Sequence, residues 1–408
     1  MARTPRFSRA LATWLIRAAK CVFVRCTTGP YATRAVASVF VLYRDSALRR
    51  AALRAPVGDP ARYSLYGLDE LRSAGFDARH NLEPGFEPDA TTRAKARILD
   101  RAVRLAGGYS GDFARVLGAL GEANRSNVVL STVDTVGIPL ALLGRFGRVQ
   151  PPVVYVAIGL PERLEQLRSG RAKKLFAQAF GRLDTIVAYG WGEVEELRSW
   201  LGDGGPRVEF VAFGVDVDHF RPDPTAALVD DVLSVGADPR RDFPLVVELA
   251  RRFPDLTFRV VGSSDNAREL GSLPTNLTLE IDVPFERIRE CLLGAKVVAL
   301  PVRENTYSGA TTTLLQAMAC ARPVVVTRTA AIADGYHLDD DVNCRLVPPG
   351  DVSALEDAVR GLLHDEARAA SLGARARETV ERHLTWEAYT SRLGRLLSDA
   401  AERGARTR

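Results

Sequence analysis

The sequence contains few cysteines and no long apolar run. Its five cysteines are scattered along the chain, and their spacing fits neither a metal cluster nor a disulfide framework, so we expect a reducing, cytoplasmic environment. No apolar stretch is long enough to span a bilayer. The five histidines form no recognisable acid–base set, and we expect structural or surface roles for them.

The composition is typical of a large soluble protein. A chain of 408 residues exceeds the size at which one core usually stops growing, so two domains are expected. Hydrophobic residues make up 46% and charged residues 26%, which is ordinary for a globular protein. The formal net charge of +5 is mildly basic, but the basic residues form no patch interleaved with aromatics, and nucleic-acid binding is not expected.

The first residues differ in character from the rest. Between Phe7 and Val24, apolar residues recur at helical spacing, Arg and Lys interleave with them, and no acidic residue occurs before Asp45. This pattern is typical of a basic amphipathic helix on an anionic membrane surface, and residues 1–30 would make that contact. Two other interpretations remain open: a helix packed on the body of the protein, or a poorly ordered extension.

Short apolar runs rich in β-branched residues alternate with helical patterns over most of the chain. One series covers residues 38–212 and a second covers residues 232–347. This alternation predicts two parallel sheets with helices on both faces, and ligands on such sheets bind beyond the carboxyl ends of the strands. We also predict a single helix over residues 161–180 and a frayed tail from Glu402.

One polar turn in the second series has the chemistry of an anion site. Residues 303–309 connect a buried strand to a helix that begins near Ala310. Ser308 suits an N-cap, and Gly309 lets backbone N–H groups approach a ligand without a Cβ between them. The first N–H groups of a helix lack internal partners and lie at its positive end, so this turn suits a diphosphate. A purely structural cap remains the alternative.

Residues 296–327, which contain this turn, resemble the donor-site segment of the family 4 glycosyltransferases. These are retaining enzymes with the GT-B fold, in which two Rossmann-like domains face each other across a cleft. The family pattern has two glutamates at a fixed spacing, and here Ser308 and Gln316 occupy their positions. Glu304, Ser308 and Gly309 are similar to a variant branch of the family, in which a Glu precedes a Ser-Gly turn.

The turn over residues 213–216, Phe-Gly-Val-Asp, is similar to the hinge of that family. The resemblance implies an N-terminal Rossmann-like acceptor domain over residues 37–213 and a C-terminal Rossmann-like donor domain over residues 214–385. Residues 1–36 would form an extension before them. Residues 386–408 would form a crossover helix and tail that pack back on the first domain.

The resemblance also implies a donor site in the second domain. Arg241 would bind the diphosphate and Glu304 the donor sugar hydroxyls, and these are the two catalytic candidates. Gln316 would hold the ribose through its amide. The other implied donor-binding residues are Gly236, Gly262, Val283, Ser308, Gly309, Ala310 and Thr311. An ordinary solvated role remains open for Arg241.

Three candidates on the acceptor side come from their positions at strand ends of the first domain. They are Asp45, Asp134 and Gly159. For each of them, a surface-loop role without a ligand remains open.

The resemblance implies a cytoplasmic retaining glycosyltransferase that acts in glycan biosynthesis, in solution or at the inner face of the membrane. It would move a sugar from a UDP- or GDP-sugar to a glycan, lipid-linked or small-molecule acceptor, with neither a cofactor nor a metal. Ser308, Gln316 and Ala237 depart from the family pattern, so a related protein that binds a nucleotide or glycan without turnover also remains open. A GT-B epimerase is disfavoured, because the acid–base groups that it needs are not apparent.

Overall fold

The computed structural model describes residues 37–307, 309–332 and 334–407. The amphipathic segment predicted over residues 1–36, with its proposed membrane contact, lies outside the described residues, as does Ser308. Within the described ranges the chain forms two parallel six-stranded sheets with helices on both faces. No helix in these ranges is long and apolar enough to cross a membrane. The predicted fold class is confirmed.

The first sheet, with its helices, forms the N-terminal lobe. Its strands are β1 (Ser38–Leu42), β2 (Asp77–His80), β3 (Val128–Ser131), β4 (Val153–Val156), β5 (Thr185–Ala188) and β6 (Arg207–Phe210). Their spatial order is β2-β1-β3-β4-β5-β6, and every neighbouring pair is parallel. All residues of β3, β4 and β5 are buried, which explains their continuous apolar sequences.

The helices of this lobe cover the sheet on both faces. They are α1 (Ala47–Arg54), a 3-10 helix (Pro60–Leu65), α2 (Leu68–Ser73), α3 (Ala90–Leu105), α4 (Phe113–Ala123), α5 (Asp134–Arg145), α6 (Leu160–Glu165), α7 (Gly170–Phe180) and α8 (Trp191–Leu201). Side-chain caps fix where several of them begin. For example, the Asp112 carboxylate accepts the N–H of Arg115 at the start of α4.

The second sheet, with its helices, forms the C-terminal lobe. Its strands are β7 (Asp230–Val235), β8 (Phe258–Gly262), β9 (Leu277–Ile281), β10 (Ala295–Leu300), β11 (Val324–Thr327) and β12 (Arg345–Val347). Its helices are α9 (Phe243–Arg252), α10 (Ser264–Ala267), α11 (Phe285–Leu293), α12 (Thr311–Ala319), α13 (Val352–His364) and α14 (Glu366–His383). The strand order β12-β11-β10-β7-β8-β9 is that of a Rossmann sheet, with the reversal between β7 and β10.

The single helix predicted over residues 161–180 is wrong, because the chain forms α6 and α7 there. Ser169 accepts the N–H of Ala172 at 3.2 Å and so begins a new helix. Between the helices, the N–H of Arg168 donates to the carbonyl of Ala106 at 3.1 Å. A tertiary hydrogen bond thus holds the link between the helices in an unwound conformation.

The frayed tail predicted from Glu402 is also wrong. The last helix, α15 (Trp386–Thr407), continues through this stretch. Arg403 donates two hydrogen bonds to Asp184, at 2.9 and 2.6 Å, and these tie the end of the helix to the N-terminal lobe.

Helix α15 follows the C-terminal lobe in sequence but packs on the N-terminal lobe. Its buried side chains join the core on one face of the first sheet; they include Trp386, Tyr389, Leu393, Leu396 and Leu397. The indole N–H of Trp386 donates to Glu70 at 2.7 Å. Where the chain crosses back it pairs with the outgoing hinge, since Val215 exchanges backbone hydrogen bonds with Leu384 and Trp386.

Candidate functional site

Two loops of the C-terminal lobe meet where its strand order reverses. The chain leaves β7 towards β8 on one side and leaves β10 towards β11 on the other. The loop over residues 236–242 therefore lies beside the turn over residues 301–310. The N–H of Arg303 donates to the carbonyl of Arg240 at 2.9 Å and joins the two. A crevice at such a reversal is where open α/β sheets bind ligands.

Arg241 is buried at this meeting point with most of its donors unused. Its side chain is 3% exposed, and its Nη2 donates to the Thr313 hydroxyl, in the first turn of α12, at 2.9 Å. Its Nε and Nη1 have no partner within the described residues. Burial lowers the pKa of Arg241 to about 10, so the guanidinium is still charged at neutral pH. A buried cation with free donors is unfavourable unless an anion binds to it.

Glycines bring the backbone close to this guanidinium. A Cβ on Gly236 would lie 2.2 Å from Nε of Arg241, so only glycine leaves room for the side chain as it stands. The other glycine of the site, Gly309, is buried, and its N–H donates to the carbonyl of Tyr307 at 2.7 Å. The sequence prediction thus placed Arg241 and Gly309 on adjacent loops, which is where they lie.

Ser308, the predicted N-cap, lies outside the described residues, and the N-cap position of α12 is Ala310. The alanine side chain cannot accept a hydrogen bond, and no side chain caps this helix in the described residues. Ala310 and Thr311 are both 2% exposed, and Thr313 in the same turn accepts from Arg241, so the first turn of α12 lies buried beside that guanidinium. The uncapped helix start leaves N–H groups for a ligand to satisfy.

Asp238 is a site residue that the sequence pattern did not indicate. Its Oδ1 accepts the N–H of Arg240 at 2.7 Å and the hydroxyl of Tyr307 at 3.3 Å. A Cβ on Gly309 would lie 3.4 Å from the same oxygen. Burial raises the pKa of Asp238, while the Arg240 N–H and the charge of Arg241 oppose that shift. A carboxylate therefore lies beside the position expected for a diphosphate.

The remaining donor candidates surround this centre without forming a closed set. Glu304 is exposed, lines the interlobe cleft and accepts the N–H of Ala330 at 3.2 Å. Gln316 is 6% exposed and lies in the second turn of α12. Gly262 ends β8 beside Phe243, and Val283 packs partly buried against the core of the lobe. Their contacts with a sugar, a ribose or a base remain predictions.

Two of the three acceptor candidates already form hydrogen bonds or ion pairs within the protein. Asp45 forms ion pairs with Arg50 at 2.7 Å and Arg115 at 2.5 Å. Asp134 is fully buried, and its oxygens accept the Tyr155 hydroxyl, the Ile158 N–H and the Arg163 Nε–H, at 2.5, 3.1 and 2.8 Å. Asp134 cannot meet an acceptor without losing these bonds, whereas the side chain of Asp45 is still 27% exposed.

Gly159 is the acceptor candidate that reaches the other lobe. Its φ of 73° favours glycine, and a Cβ there would lie 3.3 Å from the ring of Tyr307. Beside it, Glu193 is fully buried and its Oε1 accepts the N–H groups of Gly159 and Leu160, at 2.8 and 3.0 Å, while Oε2 has no partner within the described residues. Burial raises the pKa of Glu193 to about 8. Sequence reasoning missed this residue.

The two lobes face each other across a cleft of about 550 Å³. Its walls come from α6 and α8 on one side and from the turns around Arg240 and Asn305 on the other. The Arg240 guanidinium reaches across to the carboxylate of Glu162 at 2.6 Å. The cleft therefore opens beside the loops that hold Arg241.

A comparison with known families agrees with this geometry. Residues 240–365 match the family model described as Glycosyl transferases group 1. This stretch is therefore similar to that family. It contains Arg241, Glu304, Gly309 and the whole of α12. The group 1 glycosyltransferase segment thus coincides with the part of the chain where sequence reasoning placed the donor site.

Two curated proteins of known activity are similar to parts of this chain. A GDP-mannose-dependent alpha-(1-6)-phosphatidylinositol monomannoside mannosyltransferase of Mycolicibacterium smegmatis is 29% identical over 48% of this chain and 57% of its own length. A D-inositol 3-phosphate glycosyltransferase of Kineococcus radiotolerans is 31% identical over 54% of this chain and 60% of its own. The chain thus spans less than two thirds of the length of these relatives.

Solved structures of glycosyltransferases share the fold over most of the chain. A sucrose-phosphate synthase of Thermosynechococcus elongatus superposes with a TM-score of 0.66 at 16% identity, covering 89% of this chain and 98% of that one. Alr3699/HepE of Anabaena, in complex with UDP-glucose, superposes with a TM-score of 0.62 at 14% identity, covering 89% and 100%. The likeness supports the GT-B architecture of this chain.

Proposed function

We propose that this protein is a retaining glycosyltransferase that moves a sugar from a nucleoside diphosphate sugar to an acceptor. The observation that carries the proposal is the buried Arg241, whose Nε and Nη1 lack partners beside the uncapped start of α12. A diphosphate would accept from both nitrogens, and its charge would lie at the positive end of the helix. The match of residues 240–365 to glycosyltransferases supports this assignment.

The chemistry follows from where charge develops. As the bond between the anomeric carbon and the phosphate oxygen breaks, negative charge grows on the nucleoside diphosphate. Arg241 and the N–H groups of the α12 start would stabilise that charge, because they are fixed in a site shielded from water. Glu304 would hold the donor sugar hydroxyls. The leaving phosphate would accept the proton of the acceptor hydroxyl, so no separate base is needed on this chain.

Names of similar proteins support the class of donor. The M. smegmatis relative is described as dependent on GDP-mannose, and the Anabaena neighbour was solved with UDP-glucose and with UDP. A UDP- or GDP-sugar is therefore the donor class that we propose. The acceptor class (glycan, lipid-linked or small molecule), the cytoplasmic location and a membrane contact through residues 1–30 belong to the same proposal.

One observation favours the second candidate function, nucleotide or glycan binding without turnover. Asp238 places a carboxylate next to the position of the diphosphate and already interacts with Arg241. A donor would have to bind despite this repulsion or displace the side chain. Gln316, in place of a family glutamate, adds a second departure. Turnover must therefore be measured separately from binding.

Thermal unfolding with UDP, GDP, UMP and GMP tests the binding part of the proposal. A diphosphate should raise the melting temperature more than the matching monophosphate, because only it spans both free nitrogens of Arg241. Arg241→Met, which keeps the buried volume, should weaken diphosphate binding by about 100-fold. Asp238→Asn should strengthen it by about tenfold, because it removes the repulsion. Arg382→Met, on the exposed surface of α14, is the matched control and should bind like the wild type.

Turnover separates the two candidate functions. Release of UDP or GDP from UDP-glucose or GDP-mannose, lost in Arg241→Met and in Glu304→Ala, would support the enzyme. Nuclear magnetic resonance of the product should show the same anomeric configuration as the donor. Tight diphosphate binding with no release from any donor would instead support the binding protein. Equal binding of UDP by the wild type and Arg241→Met would refute both.

A further inference from the structure

The interlobe cleft has a strongly acidic lining. Four glutamates face it: Glu162 and Glu165 on α6, Glu196 on α8, and Glu304 from the turn after β10. Arg240 is the one cationic side chain among its lining residues in the described part of the chain, and Glu162 already neutralises it at 2.6 Å. The cleft therefore carries a surplus of negative charge.

The other three glutamates have no ion-pair partner in the described ranges. Glu196 accepts the hydroxyl of Thr306 at 3.2 Å, and Glu304 accepts the backbone N–H of Ala330, but neither bond compensates a charge. Burial raises the pKa of Glu196, and the neighbouring carboxylates Glu165 and Glu162 add to that rise. Carboxylates held together without a cation repel one another, and a bound cation would relieve that repulsion.

Asn305 supplies an observation that is independent of the charges. Asn305 lines the same cleft and is 4% exposed. Its Nδ2 donates to the carbonyl of Arg303 at 2.7 Å, while its Oδ1 has no donor within the described residues. Buried polar atoms nearly always find a partner, so this oxygen is expected to accept from a ligand. Like the glutamates, it requires a hydrogen-bond donor.

These features define the ligand chemistry. Carboxylate and amide oxygens dominate the lining, so a matching ligand must be rich in hydroxyl or ammonium donors. A phosphorylated ligand would meet three uncompensated carboxylates and be repelled. No group of His, Cys, Asp or Glu in the described residues is arranged to hold a metal ion. The charge is therefore better matched by an organic cation.

We propose that this cleft is the acceptor site and that it selects a polyhydroxylated acceptor with a protonated amino group, such as an amino sugar or aminocyclitol. The inference rests on the proposed function. Glu165 and Glu196, from the N-terminal lobe, bind the ammonium group. An acceptor hydroxyl oxygen bonds to the anomeric carbon as the bond to the phosphate oxygen breaks. The hydroxyl proton passes to the departing diphosphate, giving a glycoside and a nucleoside diphosphate.

Calorimetric titration of the full chain, saturated with UDP or GDP, tests this selection. The probes are the β-1,4-linked glucosamine disaccharide, its N,N′-diacetyl counterpart and glucosamine 6-phosphate. The free amine should bind at least tenfold more tightly than the acetylated sugar, and the difference should shrink as salt rises. The phosphorylated sugar should bind most weakly. Equal binding of the two disaccharides, tightest binding of glucosamine 6-phosphate, or no binding of the free amine overturns the proposal.

Variants of the cleft glutamates test which side chains bind the amine. Glu165→Gln and Glu196→Gln should each weaken binding of the amine by about tenfold and leave the acetylated disaccharide unaffected. Glu195→Gln, an exposed neighbour on α8 that does not line the cleft, should bind like the wild type. An unchanged preference for the amine in both cleft variants refutes the assignment. Thermal unfolding with nucleotides distinguishes failure of this inference from failure of the proposed function. If UDP and GDP do not bind at all, the proposed function itself fails.

Discussion

Glu193 is a buried carboxyl group that uses one of its two oxygens. Its Oε1 holds the N–H groups that begin α6, and its Oε2 has no partner within the described residues. Burial is the main cause of its raised pKa, and the nearby carboxylates of Asp134 and Glu196 add to it. Near neutral pH this group is therefore mostly protonated and can lose its proton within the physiological range.

Glu193→Gln should change how stability depends on pH. The ordinary pKa of the side chain is 4.5, and in the folded protein it is about 8. Between these values the folded state binds more protons than the unfolded state, so the free energy of unfolding falls as pH rises and levels off above 8. The amide does not titrate. At pH 9 the variant should be more stable than the wild type by about 4 kcal/mol, with little difference at pH 4.5.

Urea unfolding at a series of pH values measures this effect. Glu195→Gln, on the exposed side of the same helix, is the control and should keep the pH slope of the wild type. If Glu193→Gln also keeps that slope, the carboxyl group is ionised in the folded protein and the assignment is wrong.

At the residue scale, position along the chain predicted Arg241 as a site residue but did not predict Asp238 or Glu193. Arg241 could be anticipated because it lies in the loop after the first strand of a Rossmann series. Asp238, in the same loop, was missed because the carboxylate gains its importance only when the turn around Gly309 folds against it. Glu193 was missed for a similar reason: its burial depends on contact between α8 and α6, which no local pattern encodes.

The loop between β7 and α9 is the element on which the proposed donor site depends. Gly236 lets Arg241 fold back over the loop and reach Thr313 on α12. The loop is also joined by backbone bonds to the turn after β10. A change in one short loop therefore alters the position of the guanidinium relative to the helix start.

Gly236→Ala should weaken nucleotide binding more than it affects folding. The new Cβ would lie 2.2 Å from Nε of Arg241, and the flexible guanidinium would have to move away from Thr313. We expect UDP affinity to fall at least tenfold, measured by titration calorimetry. Gly361→Ala is the control, since nothing lies within 4 Å of a Cβ there, and its UDP affinity should be unchanged. Wild-type affinity in Gly236→Ala would show that the position of Arg241 is not critical.

Most strands and helices could be predicted from the apolar pattern, because strands buried on both faces leave continuous apolar runs. The break between α6 and α7 could not be, because it depends on a hydrogen bond from Arg168 to Ala106. The end of α15 was misjudged in the same way. Its polar residues suggest a loose tail until Arg403 is paired with Asp184. The limits of these helices depend on tertiary contacts, and they could therefore not be predicted from the sequence.

At the scale of the whole molecule, two chain crossings connect the lobes side by side. The outgoing strand at Val215 and the returning strand at Thr385 form a parallel bridge. A Cβ on Gly214 would lie 2.3 Å from the carbonyl oxygen of Thr385, so the two crossings are in close contact. Beyond them, Trp386 begins the helix that completes the core of the N-terminal lobe.

Trp386→Ala should destabilise the N-terminal lobe, although the residue follows the C-terminal lobe in sequence. The change removes a buried indole, its bond to Glu70 and its edge contact with Tyr63. We expect the free energy of unfolding to fall by about 3 to 5 kcal/mol. Hydrogen exchange should quicken in β3 and β4. The exposed neighbour Glu387→Ala should change stability by less than about 0.5 kcal/mol, and an equally small effect of Trp386→Ala would contradict the role given to α15.

The return of α15 has a consequence for recombining this protein with its relatives. The N-terminal lobe is encoded by two stretches of the gene that lie on either side of the C-terminal lobe. A chimera that exchanges residues 37–213 alone would set a foreign sheet against a native closing helix and leave the interface between them mismatched. The two lobes can be exchanged as modules only if the last helix is inherited together with the first sheet.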